Sequence, residues 1–372
     1  MPKCKICKNV VSTESVILTN MPGKAQYLPD SSSLKDDSAL CLELYACPYC
    51  SVIFLDTEPV SYYREVIRSA SVSEELKAQK QKQFNEFCEK YALKEKNVVE
   101  IGCGNGEFLE ILAKCTPQAF GLEYAIESVS KCQSKGLNIY QGFISSDDYR
   151  ICDDLFDGFL LLMFLEHIPE PRTFLRGIFN NLTNDAVGII EVPNSEMIFG
   201  TGLYAEIMKD HLFYFNLQSV SVLLGSCGFE IIEQNIIRDD YVLSLTVRKK
   251  STYALNDITD YIKKVNNCFS NSLDKHKKVA IWGASHQTFF LLSQLIDTTK
   301  ISCIIDSAEF KQGKFSPVTH IPIIKPSDEL EDFDAIIVSA GSYSPEIIEI
   351  LRLRYNYPGS LYIFNTDTLK RV

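Results

Sequence analysis

The sequence predicts an α/β protein with two units of mostly parallel sheet behind a cysteine-rich head. Three observations carry this. From residue 73 onward, short apolar runs (VVEI, FDGFLLLM, AVGIIEV) alternate with segments of helical periodicity, the pattern of buried parallel strands with helices on both faces. A second alternation starts at VAIWG, 279–283. Residues 1–60 hold five of the thirteen cysteines and little helical periodicity.

Taken in order, SEELKAQKQKQFNEFCEKYAL reads as a helix, because Leu76, Phe84, Phe87 and Tyr91 recur near helical spacing. Strands are expected at Lys96–Ile101, Ala119–Glu123, Phe156–Met163 and Ala186–Val192. Helices are expected at Gly106–Cys115, Ile126–Ser134, Pro171–Leu182 and Ser219–Cys227. FEIIEQNII and YVLSLTVRKK follow as two strands, an antiparallel edge on a parallel sheet. KKSTYALND is a polar break, and a helical linker leads into the second alternation, with VAIWG, a helix through Leu295, ISCIID and AIIVSA. The expected domains are therefore 1–60, 61–250 and 251–372.

Composition narrows the function classes. Hydrophobic residues make up 46% and charged residues 23%, enough to build a large core. A formal net charge of −11 opposes nucleic-acid and membrane partners, since an acidic chain repels phosphate. A small anionic substrate remains compatible, held by local cations or helix N-termini. MPKCKICKNV lacks a secretory apolar stretch, and thirteen cysteines without an export signal point to a reducing cytoplasm.

Cys4-Lys-Ile-Cys7 and Cys47-Pro-Tyr-Cys50 are two CxxC knuckles. Each puts two thiolates on one tight turn, and a closed tetrahedral zinc needs two such turns face to face. The expected metal ligands are Cys4, Cys7, Cys47 and Cys50, in a structural site with no open position; the alternative is a set of unrelated buried thiols. Cys41 is left over as a core thiol.

Gly102-Cys103-Gly104-Asn105-Gly106 follows a strand and opens a helix, the context a nucleotide-binding loop requires. A dinucleotide fingerprint needs its third glycine one residue later, where Glu107 stands. The order strand–acid–x–GxGxG, with Glu100 before the loop, resembles the class I methyltransferases that bind S-adenosylmethionine. That resemblance implies a Rossmann-like core. It also implies cofactor contacts from Glu100, Gly102, Cys103, Gly104, Gly106, Glu123 and Met163, with Glu123 accepting the ribose hydroxyls and Glu100 orienting the methionine end. The adenine-contacting acid stays open among Asp147, Asp148, Asp153 and Asp154, with Phe143 and Ile144 as alternative contacts.

Two acid–histidine pairs, Glu166-His167 in FLEHIPEPRTFL and Asp210-His211 in LYAEIMKDHLFYF, fall in the core. Histidine suits general-base work near neutral pH, so His211, His167, Asp210 and Glu166 are the candidate catalytic residues. Both elements also occur in class I methyltransferases of other substrates, so part of their role is structural.

A paired CxxC head, a class I core and a second α/β unit together resemble the bacterial C-methyltransferases of deoxysugar biosynthesis across nearly the whole chain. The resemblance implies a zinc head, a C-terminal Rossmann-like domain and a nucleotide-linked 4-keto-6-deoxysugar methylated through an enolate. It also implies that Gly283, Ser285, His286 and Lys311 help enclose the nucleotide; the lone glycine of WGASH argues against NAD binding there. Two departures stand out. The family's Tyr-x-Glu-His reads Met208-Lys209-Asp210-His211, and its Tyr-x-Ser-Ser-x-Ser reads within EVIRSASVSEE, with Val66 or Ile67 in place of tyrosine. Tyr62 and Tyr63 lie just upstream, and Tyr204 and Tyr214 are further possible contacts. Carbon and oxygen methylation of a nucleotide sugar therefore both stay open. So do a methyltransferase for another small metabolite and a non-catalytic S-adenosylmethionine-binding protein.

Overall fold

A computed structural model describes residues 1–25, 28–65, 72–250 and 255–372. The chain divides into two compact units, Met1–Ser251 and Thr252–Val372.

The head contributes β1 (Val16–Met21), β2 (Leu40–Ala46) and β3 (Ile53–Leu55), joined antiparallel. α1 (Glu74–Lys90) begins where the Ser73 side chain accepts the Leu76 N–H, and it buries Phe84 and Phe87. The alternation then runs β4 (Val98–Ile101), α2 (Glu107–Cys115), β5 (Ala119–Glu123), α3 (Ile126–Ser134) and β6 (Asn138–Gln141). It continues with β7 (Phe156–Leu162), α4 (Pro171–Asn180), β8 (Leu182–Pro193), α5 (Ser195–Gly200), β9 (Phe213–Tyr214) and α6 (Leu217–Ser226). β10 (Phe229–Ile237) and β11 (Val242–Lys249) close the unit.

α4 stops two residues before the expected end because Asn181 caps it. Its side-chain amide donates to the Gly177 and Tyr149 carbonyls at 2.8 and 2.7 Å, and its oxygen accepts the Ile151 N–H. The chain then extends at once as β8, four residues earlier than the apolar run suggests, because Thr183–Asp185 are polar and partly exposed.

Among the described residues this unit holds a seven-stranded sheet in the order β10-β11-β8-β7-β4-β5-β6. β8, β7, β4, β5 and β6 are parallel, and β11 and β10 form the antiparallel edge that their sequence predicts. The strand order reverses between β4 and β7, and in open α/β sheets the ligand crevice lies outside the carboxyl ends at such a point. A second sheet, β1-β2-β3-β9, draws its last strand from the core: Ile53 pairs with Tyr214 and Phe54 with Phe213. The head thus shares a sheet with the segment directly after His211.

The second unit contains α7 (Asn256–Leu273), β12 (Val279–Trp282), α8 (His286–Gln294), β13 (Ile301–Ile305) and β14 (Ile323–Ile324). β15 (Ala335–Val338), α9 (Ser344–Leu353), β16 (Ser360–Asn365) and β17 (Thr368–Arg371) complete it. Its sheet order is β14-β13-β12-β15-β16-β17, parallel except for β17. No helix among the described residues is long and apolar enough to cross a membrane.

Candidate functional site

The glycine loop leaves β4 with Gly102, Gly104 and Gly106 at φ +72°, +57° and +83°. Side chains rarely tolerate this left-handed region, so the loop can turn under α2 only with glycine at these places. At Gly106 a Cβ would also meet Leu137 Cδ1 at 2.7 Å and Cys132 Sγ at 2.9 Å. The Glu123 carboxylate at the end of β5 ties this loop to the next: Oε2 accepts the Gly104 N–H at 2.9 Å, and Oε1 accepts those of Tyr124 and Ala125 at 2.9 Å each. Cys103 is fully buried and packs its thiol beneath Gly121, where a Cβ would lie 2.6 Å away, so only its backbone can face a ligand. Glu100 is buried within β4. Met163 adopts φ +52°, its N–H donating to the Glu191 carbonyl at 2.9 Å, which turns the chain out of β7.

Beside the loop lies a crevice lined in part by Gly102, Leu122, Gly142, Phe143 and Ile144. Arg64 lies over it, its guanidinium carbon 5.3, 5.6 and 5.5 Å from the ring centroids of Tyr63, Tyr124 and Phe143. The space left open is only about 10 Å³. The four aspartates considered for adenine are engaged or exposed: Asp147 pairs with Arg176 at 2.7 Å, Asp148 accepts the Ser146 hydroxyl, and Asp153 and Asp154 face solvent. Phe143 and Ile144 are the ones that line the crevice.

The two acid–histidine pairs, far apart in sequence, meet. The Glu166, His167 and His211 side chains each place a ligand-type atom within 4.8 Å of the others, and the imidazole centroids are 4.8 Å apart. His167 Nδ1 is 2.8 Å from the Asp210 carbonyl oxygen. A carbonyl only accepts, so Nδ1 carries the proton and Nε2 the lone pair. Nε2 faces Glu166 Oε1 at 3.9 Å. Glu166 is 1% exposed, and burial pushes its carboxyl up to about 8. Burial, and then the neighbouring His167, hold His211 down to about 3. Among the described residues, Glu166 Oε2 and His211 Nδ1 are buried without a hydrogen-bond partner.

Asp210 is held on both oxygens. Oδ1 accepts the Tyr62 hydroxyl at 2.7 Å, and Oδ2 accepts the Ala25 N–H at 3.2 Å. In the sequence Tyr62 stands out only as a tyrosine just upstream of the altered segment; no local signal announces a contact across 148 residues. Tyr214 instead donates within its own loop and packs against His211, and Tyr204 is exposed. Val66, Ile67 and the serines Ser69 and Ser71 lie outside the described residues.

In the head the four predicted cysteines converge, with Cys4 Sγ 3.7 Å from Cys50 Sγ and Cys7 Sγ 3.5 Å from Cys47 Sγ. Zinc–sulfur bonds of about 2.3 Å in a tetrahedron put sulfurs about 3.8 Å apart, so the donor set fits that ion. The knuckle is fastened to the turn after His167: Lys5 pairs with Glu170, and Arg172 donates to the Ile6 carbonyl at 3.0 Å.

In the second unit, Gly283 at φ +118° passes so close to Ser339 that a Cβ would lie 2.6 Å from its carbonyl oxygen. Ser285 caps α8 by accepting the Thr288 N–H, His286 is exposed, and Lys311 pairs with Asp306 at 3.0 Å. Asp306 also accepts the Ala284 N–H at 2.8 Å.

Residues 72–234 match the family described as a methyltransferase domain, and residues 245–364 match the C-methyltransferase C-terminal domain. The chain is 23% identical over 138 residues to a curated protein of Mycolicibacterium smegmatis named a probable S-adenosylmethionine-dependent methyltransferase. The match covers 37% of this chain and 52% of that protein, so the chain spans about half the length of this relative. Among solved structures, an S-adenosylmethionine-dependent methyltransferase from Clostridium acetobutylicum ATCC 824 is similar at 11% identity and a TM-score of 0.39, over 49% of this chain and 94% of that one. The N-methyltransferase NodS from Bradyrhizobium japonicum WM9, in complex with S-adenosylhomocysteine, is similar at 16% identity and a TM-score of 0.36, over 47% and 87%. The class that the matched domains define is the S-adenosylmethionine-dependent methyltransferase, and in this chain that domain is followed by a C-methyltransferase C-terminal domain.

Proposed function

We propose that this protein transfers the methyl group of S-adenosylmethionine to carbon on a small, nucleotide-linked keto sugar, in deoxysugar or surface-polysaccharide synthesis. The observation that carries this reading is the meeting of Glu166, His167 and His211 beside the Tyr62–Asp210 pair, at the carboxyl edge of the first sheet. Carbon methylation needs a proton removed next to a carbonyl and support for the resulting enolate oxygen. The histidine pair supplies lone pairs for the first task, and Tyr62 brings a phenol to the loop whose own tyrosine position holds Met208. The C-terminal match, by its description, favours carbon over oxygen as the acceptor.

The cofactor supplies an electrophilic sulfonium methyl. Gly102, Gly104 and Gly106 would let backbone N–H groups approach it, and the Cys103 backbone lies within the same loop. Glu123 accepts the ribose hydroxyls at the end of β5, beside the loop whose Gly104 N–H it already holds. Glu100 orients the methionine end, Met163 borders the cofactor at the end of β7, and Phe143 with Ile144 holds the adenine. A structural zinc on Cys4, Cys7, Cys47 and Cys50 fixes the head. The partner is a small molecule, with no role for nucleic acid or membrane, and the setting is cytoplasmic.

Mass spectrometry tests this reading, with deuteriomethyl S-adenosylmethionine and a panel of 4-keto and fully hydroxylated nucleotide sugars. The expected result is label on a keto sugar with loss of the neighbouring C–H. Label on a hydroxylated sugar alone would replace carbon by oxygen as the acceptor. Cofactor binding with no label on any sugar would overturn the sugar assignment.

A further inference from the structure

From the same cluster we infer that Glu166, His167 and His211 form a binding site for a divalent transition-metal cation, separate from the four-cysteine site. The argument begins with the tautomer. Because His167 Nδ1 must donate to the Asp210 carbonyl, Nε2 presents a lone pair toward Glu166 Oε1 at 3.9 Å. The imidazole lone pair and the carboxyl oxygen face each other at a distance too long for a hydrogen bond. A cation fits between them. A cation with nitrogen and oxygen ligands at about 2.0–2.2 Å spans a gap of this size.

Two further atoms point to the same conclusion. Glu166 is 1% exposed, and among the described residues its second oxygen lacks a partner, as does the buried His211 Nδ1. An isolated carboxylate in such a place is costly, so the group takes up either a proton or a cation. One ligand-type atom from each of the three residues lies within 4.8 Å of the others. The His167 Nδ1–carbonyl bond is the outer contact by which metal-binding histidines are commonly oriented. Two imidazoles and one carboxylate leave coordination positions open and suit iron, manganese, cobalt or zinc better than magnesium or calcium.

The site stands on side-chain geometry alone, but its chemical role rests on the methyl-transfer reading. With a cation in place the imidazoles act as ligands, and their lone pairs no longer reach the acceptor's proton. A free imidazole base and a metal-bound one exclude each other. Added cation should therefore lower turnover, by occupying the lone pairs that the methyl-transfer reading uses.

The test is cobalt(II) binding to the full chain with zinc already on the cysteines, read by calorimetry and visible absorption without cofactor or acceptor. The expected result is one further equivalent of cobalt, with weak d–d bands and no thiolate charge-transfer band. Glu166→Gln and His211→Asn should each weaken it at least ~10-fold, while S-adenosylhomocysteine binding shows that the variants are folded. No cobalt bound up to ~1 mM, or equal binding by both variants, would overturn the inference. Neither result bears on whether S-adenosylmethionine is used, so the two readings fail independently.

Discussion

The Tyr62 hydroxyl donates to Asp210 Oδ1 at 2.7 Å, while the Asp210 backbone carbonyl fixes the tautomer of His167. A phenol that leaves the head thereby sets the orientation of an imidazole on the core. Tyr62→Phe is expected to lower kcat by about 10–100-fold, the usual penalty for losing an outer contact of this kind, with cofactor affinity unchanged. Steady-state kinetics beside S-adenosylhomocysteine calorimetry checks this. A loss confined to stability, with kcat intact, would make the bond merely structural.

Gly106 combines φ +83° with a would-be Cβ 2.7 Å from Leu137. Gly106→Ala must strain the backbone and push a neighbour aside, at a cost of about 1–3 kcal/mol. The variant should melt lower and bind S-adenosylhomocysteine at least ~10-fold more weakly, since 1.4 kcal/mol is a factor of ten. Gly136→Ala is the control: it shares the positive φ but has nothing within 4 Å.

Lys80 on α1 is 3% exposed and pairs with Glu191 on β8, itself 2% exposed. Burial pulls the lysine below its usual range, and Glu191 opposes that shift. Removing Lys80 leaves the buried Glu191 carboxylate with the hydrogen bonds of Gln83 and Ser244 but without its counter-ion. Lys80→Met should therefore cost about 3–5 kcal/mol in denaturant unfolding. The double variant with Glu191→Leu should recover most of it, because a matched apolar pair replaces an ion pair at little net cost.

The head should depend on its metal. β1 is largely exposed, β2 fully buries only Leu42 and Leu44, and no disulfide joins the cysteines of the described residues. Cys47→Ser is expected to lose one equivalent of zinc in elemental analysis and to unfold the head. Because β3 pairs with β9, methyl transfer should fall with it. A variant that loses zinc yet keeps full turnover would sever that link.

In the second unit, His276 is buried with Nε2 3.0 Å from the Tyr362 hydroxyl. Burial holds its imidazole below the usual range, assisted by Lys275, Arg371 and Lys300 and opposed by Asp334. The unfolded chain thus binds the proton more readily than the folded one. This contribution to stability is complete above about pH 6.5 and declines as pH falls below it. Thermal unfolding at pH 7.5 and 5.5 should show the decline, and His276→Asn should flatten it.

What the sequence made legible follows from burial. β4, β5, β7 and β8 are enclosed on both faces, so each is an apolar run that can be read directly. The glycine loop was legible too, because its turn requires residues without side chains. β1 and β6 are mostly exposed, and VILTNM and NIYQ carry no matching pattern. β9 is two residues long, and nothing in Phe213–Tyr214 announces that it pairs with the head. His167 and His211 could each be singled out by the adjacent acid. Their convergence, the Tyr62 bond and the cover that Arg64 forms over three rings arise only when distant segments fold together.

The pairing of Ile53 and Phe54 with Tyr214 and Phe213 has a practical consequence for anyone seeking a minimal enzyme. Cutting at residue 60 looks safe on paper, since the methyltransferase match begins at residue 72. Such a cut would strip three strands from a four-stranded sheet and expose the backbone edge of β9 two residues after His211. A bare strand edge is a template for self-association. The shortened protein should clump before it ever loses its cofactor pocket, and gel filtration would register the damage earlier than a cofactor titration.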